Sequence, residues 1–327
     1  MTLRLTLLCA ASALVILASV LVGGSALSPH DVGLALAHPN AGSDAATIVW
    51  QLRLPRILIA VFVGAGLAIS GALLQGMLRN PLVDPFLTGV SAGAAAGIVA
   101  SIVAGVGAAF VPAIGFVAGI ATAALVATLA RRGSSIDATR LILAGVSLSS
   151  LFSAFIALIL VRAQSTDYSA QIVSWLAGSL AARGWNDLGF ALPYGLAGAA
   201  LAFISVPALN ALRLGDVRAA ALGLNVGRAQ WTILSAASLL TASAVTLSGT
   251  IGFVGLIVPH IARRAVGSDA RGVLPASIII GAAIMALADD VARTLFAPAE
   301  LPIGVLLAFV GVPAFLYLYF RDARVTT

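Results

Sequence analysis

Eight stretches of this chain contain no Asp, Glu or Arg: residues 5–30, 57–78, 85–130, 141–161, 188–212, 229–262, 272–288 and 301–320. Lys, the remaining charged type, is absent from the whole sequence. A helix needs about 20 apolar residues to cross the hydrocarbon core of a bilayer. There the backbone finds no water, so it must satisfy its own hydrogen bonds. The pattern therefore predicts an all-α membrane protein. Composition agrees, since 61% of residues are hydrophobic and only 9% charged, where a soluble domain carries about 25% charged residues. A single water-soluble globule is excluded.

The run 85–130 holds two helices, with Gly105, Gly107 and Pro112 marking the turn between them. The run 229–262 is too long for one ordinary span and short for two. Charge decides the matter. Arg213, Arg218 and Arg228 precede it and Arg263, Arg264 and Arg271 follow it, and cytoplasmic loops collect the basic residues, so both flanks lie inside. The segment goes out and returns, turning near Ser248-Gly249-Thr250, with its second member short or broken around Gly252, Gly255 and Pro259. The count is about ten transmembrane helices with both termini cytoplasmic, the run 5–30 being the first. On this topology 13 of the 18 Arg lie inside (4, 79, 131, 132, 140, 213, 218, 228, 263, 264, 271, 321, 324) and five outside (53, 56, 162, 183, 293). The net charge of +6 and the pI near 10.6 then report cytoplasmic loops and call for no nucleic acid partner.

Several chemistries fall away. A Walker A loop needs a Lys to reach the phosphates, so the chain is not itself a P-loop ATPase. One cysteine, Cys9, allows neither a disulfide nor a Cys-based metal site. Gly89-Val90-Ser91-Ala92-Gly93 matches a nucleophile elbow by letters only, because that turn belongs between a strand and a helix of a soluble sheet. His260 beside Pro259 reads as a hydrogen-bonded core residue. No catalytic residue, cofactor or metal is expected. An ion-coupled secondary transporter is the rival reading, yet no predicted span carries the Asp, Glu or Arg that such coupling normally uses.

Small residues recur every fourth position at Ala60, Gly64, Ala68, Ala72 and Gly76, and again at Gly89, Gly93, Gly97, Ser101 and Gly105. Such ridges let helix backbones approach closely. Two outer features break the charge rule: Arg53-Leu54-Pro55-Arg56 at the mouth of the second span, and Arg293 after Asp289 and Asp290. They read either as interfacial snorkelling or as a cationic rim for acidic groups on a partner. Inside, residues 213–230 read as two short helices, one over Ala219 to Leu222 with Gly223 as C-cap and the next capped by Asn225. They form a knob that is either a plain linker or a grip for a soluble motor.

Ordered blocks along residues 50–320 resemble the FecCD-type permeases of ABC importers: Arg53-Leu54-Pro55-Arg56, Ser70-Gly71, Gln75, Arg79-Asn80-Pro81-Leu82, Asp84-Pro85, Gly89 to Ala94, Trp175 to Leu180, Leu222-Gly223, Ser248-Gly249, Gly252 to Leu256, Pro259-His260, Arg263, Ala288-Asp289, Arg293 and Glu300-Leu301-Pro302-Ile303-Gly304. Asp290 departs from a position usually apolar in that family. The resemblance implies a type II ABC importer permease fold with residues 1–327 as a single transmembrane domain. It implies a multi-pass protein among the lipids of the bacterial inner membrane. It further implies a homodimer with the pathway on its two-fold axis, two ATP-binding cassette ATPase subunits on cytoplasmic coupling helices at about 216–230, and a periplasmic substrate-binding protein. On this likeness Arg53, Arg56 and Arg293 dock the binding protein, and Arg218, Leu222, Gly223 and Leu224 meet the ATPase. The fifth and tenth helices, about 141–161 and 304–320, line the pathway through Leu148, Phe152, Phe155, Leu307 and Gly311. The cargo it implies is an iron chelate, and because an uncharged pathway suits a large chelate shielded from water, haem is favoured, with ferric siderophore or cobalamin next.

Overall fold

The computed structural model describes residues 2–23, 27–39, 42–162, 166–297 and 299–323. Arg324, counted among the inner arginines, lies outside the described residues. The described chain is almost wholly helical: α1 (Thr2–Leu21), α2 (Pro29–Ala37), α3 (Asp44–Thr47), α4 (Leu54–Leu78), α5 (Val90–Val103), α6 (Val111–Leu129), α7 (Ala138–Arg162), α8 (Thr166–Ala177), α9 (Trp185–Ile204), α10 (Val206–Leu212), α11 (Asp216–Ala221), α12 (Val226–Ser248), α13 (Val254–Val266), α14 (Ala270–Thr294) and α15 (Ile303–Ala323). A π-helical turn, Ile48–Arg53, leads into α4. A two-stranded hairpin, β1 (Arg131–Arg132) with β2 (Ser135–Ile136), precedes α7.

The ten spans read from the sequence correspond to α1, α4, α5, α6, α7, α9, α12, α13, α14 and α15. Seven helical segments among the described residues are long and apolar enough to cross a bilayer, and α5 and the start of α15 are shorter apolar helices. Helix α13, at 13 residues, is the short return after Ser248. It runs unbroken through Gly255 and Pro259. In one respect the helices differ from the reading of uncharged spans. Helix α14 does not end at residue 288 but continues to Thr294, and so carries Asp289, Asp290 and Arg293 as buried residues.

Helices α4, α12 and α14 are the centre of the bundle, most of their apolar windows being buried, while α1 and α7 are largely exposed on this single chain. Small residues decide the crossings. A Cβ added at Gly64 would fall on the carbonyl oxygen of Gly281, and one at Gly281 on that of Gly64, so α4 and α14 cross backbone to backbone. The second ridge works alike, with Gly93 against Thr122 and Gly97 against Ala118 of α6. Polar side chains add links between helices. The Ser70 hydroxyl donates to the carbonyl of Ala237 at 3.0 Å and lies 2.7 Å from the Thr241 hydroxyl of α12.

Two re-entrant turns meet in the body of the bundle. After α4 the chain turns back at Arg79, in the left-handed region, and the segment to Gly89 climbs inward before α5 starts. Helix α5 has 14 residues, about 21 Å of rise, which is short of a roughly 30 Å hydrocarbon core. Helix α13 likewise starts inside, from Phe253 at φ 67°. Gln75 ties the two together, its Nε2 donating to the carbonyls of Val83 (3.1 Å), Gly255 (3.1 Å) and Leu256 (3.2 Å). Its Oε1 accepts from Arg263 at 2.6 Å. Backbone carbonyls freed where helices break thus find donors within the protein, as a water-poor interior requires.

At the outer end, Ser28 and Asp31 form a capping box on α2. The Ser28 hydroxyl and then its amide hold the Asp31 carboxyl below the usual carboxylate range. The indole of Trp50 donates to Ala35 O at 2.9 Å and that of Trp185 to Trp50 O at 2.8 Å. Amphipathic indoles of this kind suit a membrane interface.

Candidate functional site

At the end of the bundle read from the sequence as outer, a cavity of about 630 Å³ is lined by four arginines, Arg53, Arg56, Arg183 and Arg293, and one acid, Glu300. The π-turn before Leu54 brings Arg53 and Arg56 to its wall, and the extension of α14 brings Arg293. The arginines are not loose. Arg53 is 3% exposed and donates to the carbonyls of Val20 and Leu21 at 2.9 and 3.4 Å. These belong to α1 and its end, so Arg53 fastens that helix. Arg56 is held twice. Its Nε and Nη2 donate to Asp289 at 3.0 and 2.9 Å, and its Nη1 and Nη2 donate to the two oxygens of Glu300 at 3.0 Å each. Arg293, 6% exposed, pairs with Asp289 at 3.2 Å and with Asp290.

Burial explains this order. Charges removed from water persist only when paired, and one turn of α14 places Asp289 four and Asp290 three residues before Arg293, on the same face. Asp290, the departure from the family pattern, earns its place by also accepting from Ser19 of α1. Of the three arginines read as docking residues, the structure gives Arg56 the partner that reaches the surface, Glu300, while Arg53 and Arg293 sit deeper. Arg183, paired with Asp187 at 3.5 Å, joins the same cavity. Sequence reasoning counted Arg183 among the outer arginines but did not group it with the docking residues, because no motif block carries it.

At the opposite end, read from the sequence as inner, α11 and the start of α12 form the knob. Gly223 has φ 85° with open space around it, and the Asn225 side chain accepts from the Arg228 amide. Arg218 is exposed, Leu222 is 70% exposed, and Leu224 packs inward on the core. Val217, 85% exposed, is a further apolar residue on this surface. Its signal was an apolar side chain between two charged neighbours. The knob is fastened to the bundle. Asp216 pairs with Arg79 at 3.3 Å, and the Gln230 Oε1 accepts from the Ile136 amide at 2.7 Å. Gly227 packs against the carbonyl of Ser134 so closely that a Cβ would overlap it. Through the hairpin the knob therefore touches the base of α7.

On α7, Leu148 and Phe152 are half-buried against neighbouring helices and Phe155 is 43% exposed. On α15, Leu307 is buried, and a Cβ at Gly311 would lie 2.9 Å from the Cβ of Phe253. Gly311 thus faces α13.

The sequence profile of the FecCD transport family matches residues 11–321. The chain belongs to the FecCD transport family. Among its FecCD relatives, an uncharacterized ABC transporter permease protein, YvrB of Bacillus subtilis (strain 168), is 42% identical over 283 residues, covering 85% of this chain and 80% of its own. The hemin transport system permease protein HmuU of Yersinia pestis is 36% identical over 316 residues, 94% of each chain. An ABC transporter proposed to be of the metal-chelate type, solved in an inward-facing conformation, superposes with a TM-score of 0.86 at 36% identity over 97% of both chains. PsaBC of Streptococcus pneumoniae, solved in complex with Fab, matches at TM-score 0.59 and 18% identity over 88% of this chain and 94% of its own. At that identity it speaks for the fold alone. This FecCD chain has the fold of an ABC importer permease, and its family is one of transport permeases, not a catalytic one.

Proposed function

We propose that this chain is the membrane subunit of a binding-protein-dependent ABC importer, a homodimer in the bacterial inner membrane with two ATPase subunits, carrying an iron chelate inward. One observation carries this reading: the bundle bears an arginine-lined cavity at one end and an exposed apolar knob at the other. An apolar pair as exposed as Val217 and Leu222, outside the spans, is a surface for a protein partner. Arg218, Leu222 and Gly223 would meet the ATPase, and Leu224 would seat the knob. Arg56, with Arg53 and Arg293 behind it, would receive acidic residues of the binding protein. Outward-facing apolar residues of α7 (Leu151, Leu158) and α15 (Phe309, Leu316) offer a seam for the second copy.

Haem is the favoured cargo, with ferric siderophore or cobalamin next. A hemin permease aligned along 94% of each chain and a probable siderophore permease aligned along 95% of this chain and 92% of its own support an iron chelate as cargo. Relatives named for Fe(3+)-citrate, cobalamin and molybdate import lie in the same identity range. Purifying the assembled importer with its loaded binding protein and recording its absorption spectrum tests the cargo. A Soret band is expected. A spectrum with neither haem nor corrin bands, from a complex lacking bound iron, would remove all three candidates.

Two predictions arise here. With inner loops carrying most arginines, a cysteine placed at Ser134 or Ser268 should react with a thiol reagent only after the membrane is permeabilised, while one at Asn186 should react in intact spheroplasts. Labelling of Ser268→Cys from outside would overturn the α12–α13 hairpin. Gly223→Val places a β-branched residue at φ 85°, a strain of about 1–3 kcal/mol. Since nothing crowds this glycine, the strain stays local. The variant should lose most stimulated ATP hydrolysis yet bind the binding protein normally, and full ATPase stimulation would argue against a coupling role.

A further inference from the structure

Charge in the outer cavity is balanced before any partner arrives. Four guanidinium groups, Arg53, Arg56, Arg183 and Arg293, line it, and among the described residues four carboxylates, Asp187, Asp289, Asp290 and Glu300, pair with the last three. An incoming carboxylate added to this set would meet no net attraction. One carboxylate has to leave, and the four are not equally held.

Asp289 is 1% exposed and is shared between Arg56 and Arg293. Asp290 pairs with Arg293 and accepts from Ser19. Removing either would strand a buried guanidinium, which is costly. Asp187 is engaged by its own helix start, accepting from the Gly184 amide at 2.9 Å. Glu300 differs. Its side chain is 41% exposed, it lies on the connection between α14 and α15, and among the described residues its one partner is Arg56. An ion pair with one partner in water is worth little, so Glu300 is the carboxylate that can swing out.

We propose that Glu300 is an internal stand-in for a carboxylate of the binding protein: docking exchanges it for a partner Asp or Glu on the outer fork of Arg56. The proposal rests on the docking reading above and adds a step to it. Both oxygens of Glu300 meet the fork of Arg56, at 3.0 Å each, which is the bidentate geometry an incoming carboxylate would adopt. Arg183 is the second contact. It lines the same cavity, and its Nε is buried without a hydrogen-bond partner among the described residues, so a donor is left for the arriving acid. With Glu300 displaced the cavity holds one unmatched positive charge, which the partner's acid restores to balance.

The test uses the assembled importer in nanodiscs and, as probe, the purified binding protein that supports its uptake. Glu300→Gln keeps the shape of the side chain and removes the competing charge. It should tighten binding by roughly twofold to fivefold, the range expected of an exposed ion pair, and steepen its salt dependence. Arg56→Gln should weaken binding, and in the double variant the gain from Glu300→Gln should vanish. If Glu300→Gln fails to assemble, Glu300→Ala is read in the same way. Unchanged or weaker binding in Glu300→Gln, with Arg56→Gln still impaired, overturns the exchange and leaves docking standing. Unchanged binding in both Arg56→Gln and the triple variant lacking Arg53, Arg56 and Arg293 overturns docking itself. Equal tightening by Glu300→Gln with and without Arg56 also overturns the exchange, because the gain would then come from removing long-range repulsion.

Discussion

Gly71→Val should abolish accumulation of folded protein in the membrane. Gly71 lies where α4 meets the start of α13. A Cβ there would fall on the carbonyl oxygen of Gly255 and lie 2.6 and 2.7 Å from its carbonyl carbon and Cα. All three atoms are backbone, so no rotamer change makes room. Ordinary overpacking of a core costs about 1–3 kcal/mol because side chains shift. Here two helices must separate. Doing so would break the bonds from Gln75 to Gly255 and Leu256 and pull Pro85 from its contact with Gly255. Both re-entrant turns depend on that junction. The measurement is the yield of monodisperse protein in detergent, with Gly33→Ala as control. Gly33 sits within α2 with nothing inside 4 Å, and Ala there gains about 1 kcal/mol of helix propensity. The control should match or exceed the parent. A normal yield of Gly71→Val with unchanged melting would show that the α4–α13 contact is looser than drawn.

Uptake should require ATP and survive the loss of ion gradients, an all-or-none difference. The chain has no Lys for a phosphate loop, so a motor, if there is one, is a separate subunit. Its membrane helices do hold charges, but those described in the outer half, Arg56, Asp289, Asp290 and Arg293, are bound to one another at one end. A coupling site needs a charge whose pairing changes with the bound ion, and this cluster is committed to holding α1, α4 and α14 together. Proteoliposomes carrying the permease with its ATPase, with ATP on the motor's side and loaded binding protein on the other, should accumulate chelate. Collapsing the proton and sodium gradients should leave that uptake intact. If the permease alone moves chelate down an imposed ion gradient with matching ion flux, it is a secondary transporter, and the knob has some other use.

Membrane helices were legible in the sequence because the bilayer imposes a one-dimensional rule: length and the absence of charge suffice. The glycine ridges were legible as packing surfaces, and Gly223 and Asn225 as the punctuation of the knob, since a left-handed turn and a helix cap are local events. The partners of these features were not. Nothing near Gly64 in the chain points to Gly281, and nothing near Gln75 points to Gly255, because contacts across a bundle depend on which helices cross and at what depth.

The outer arginines show the difference most sharply. Their position on the wrong side for the charge rule was visible from the sequence, and so was their fitness for carboxylates. Whether they stood free was not, since that depended on where α14 ends. A charge on a helix extended by one and a half turns can be buried only beside an opposite charge. Asp289 and Asp290 follow a long apolar run and read as its boundary, but in the folded bundle Arg56 and Arg293 supply the neutralising charge that lets the helix go on. Sequence determined that this chain spans a membrane, through the solvent preferences of single residues, and its likeness to a family gave the importer-permease reading. Only the tertiary structure decided which charges face each other, because pairing energy exists only between groups that the fold has brought within a few ångströms.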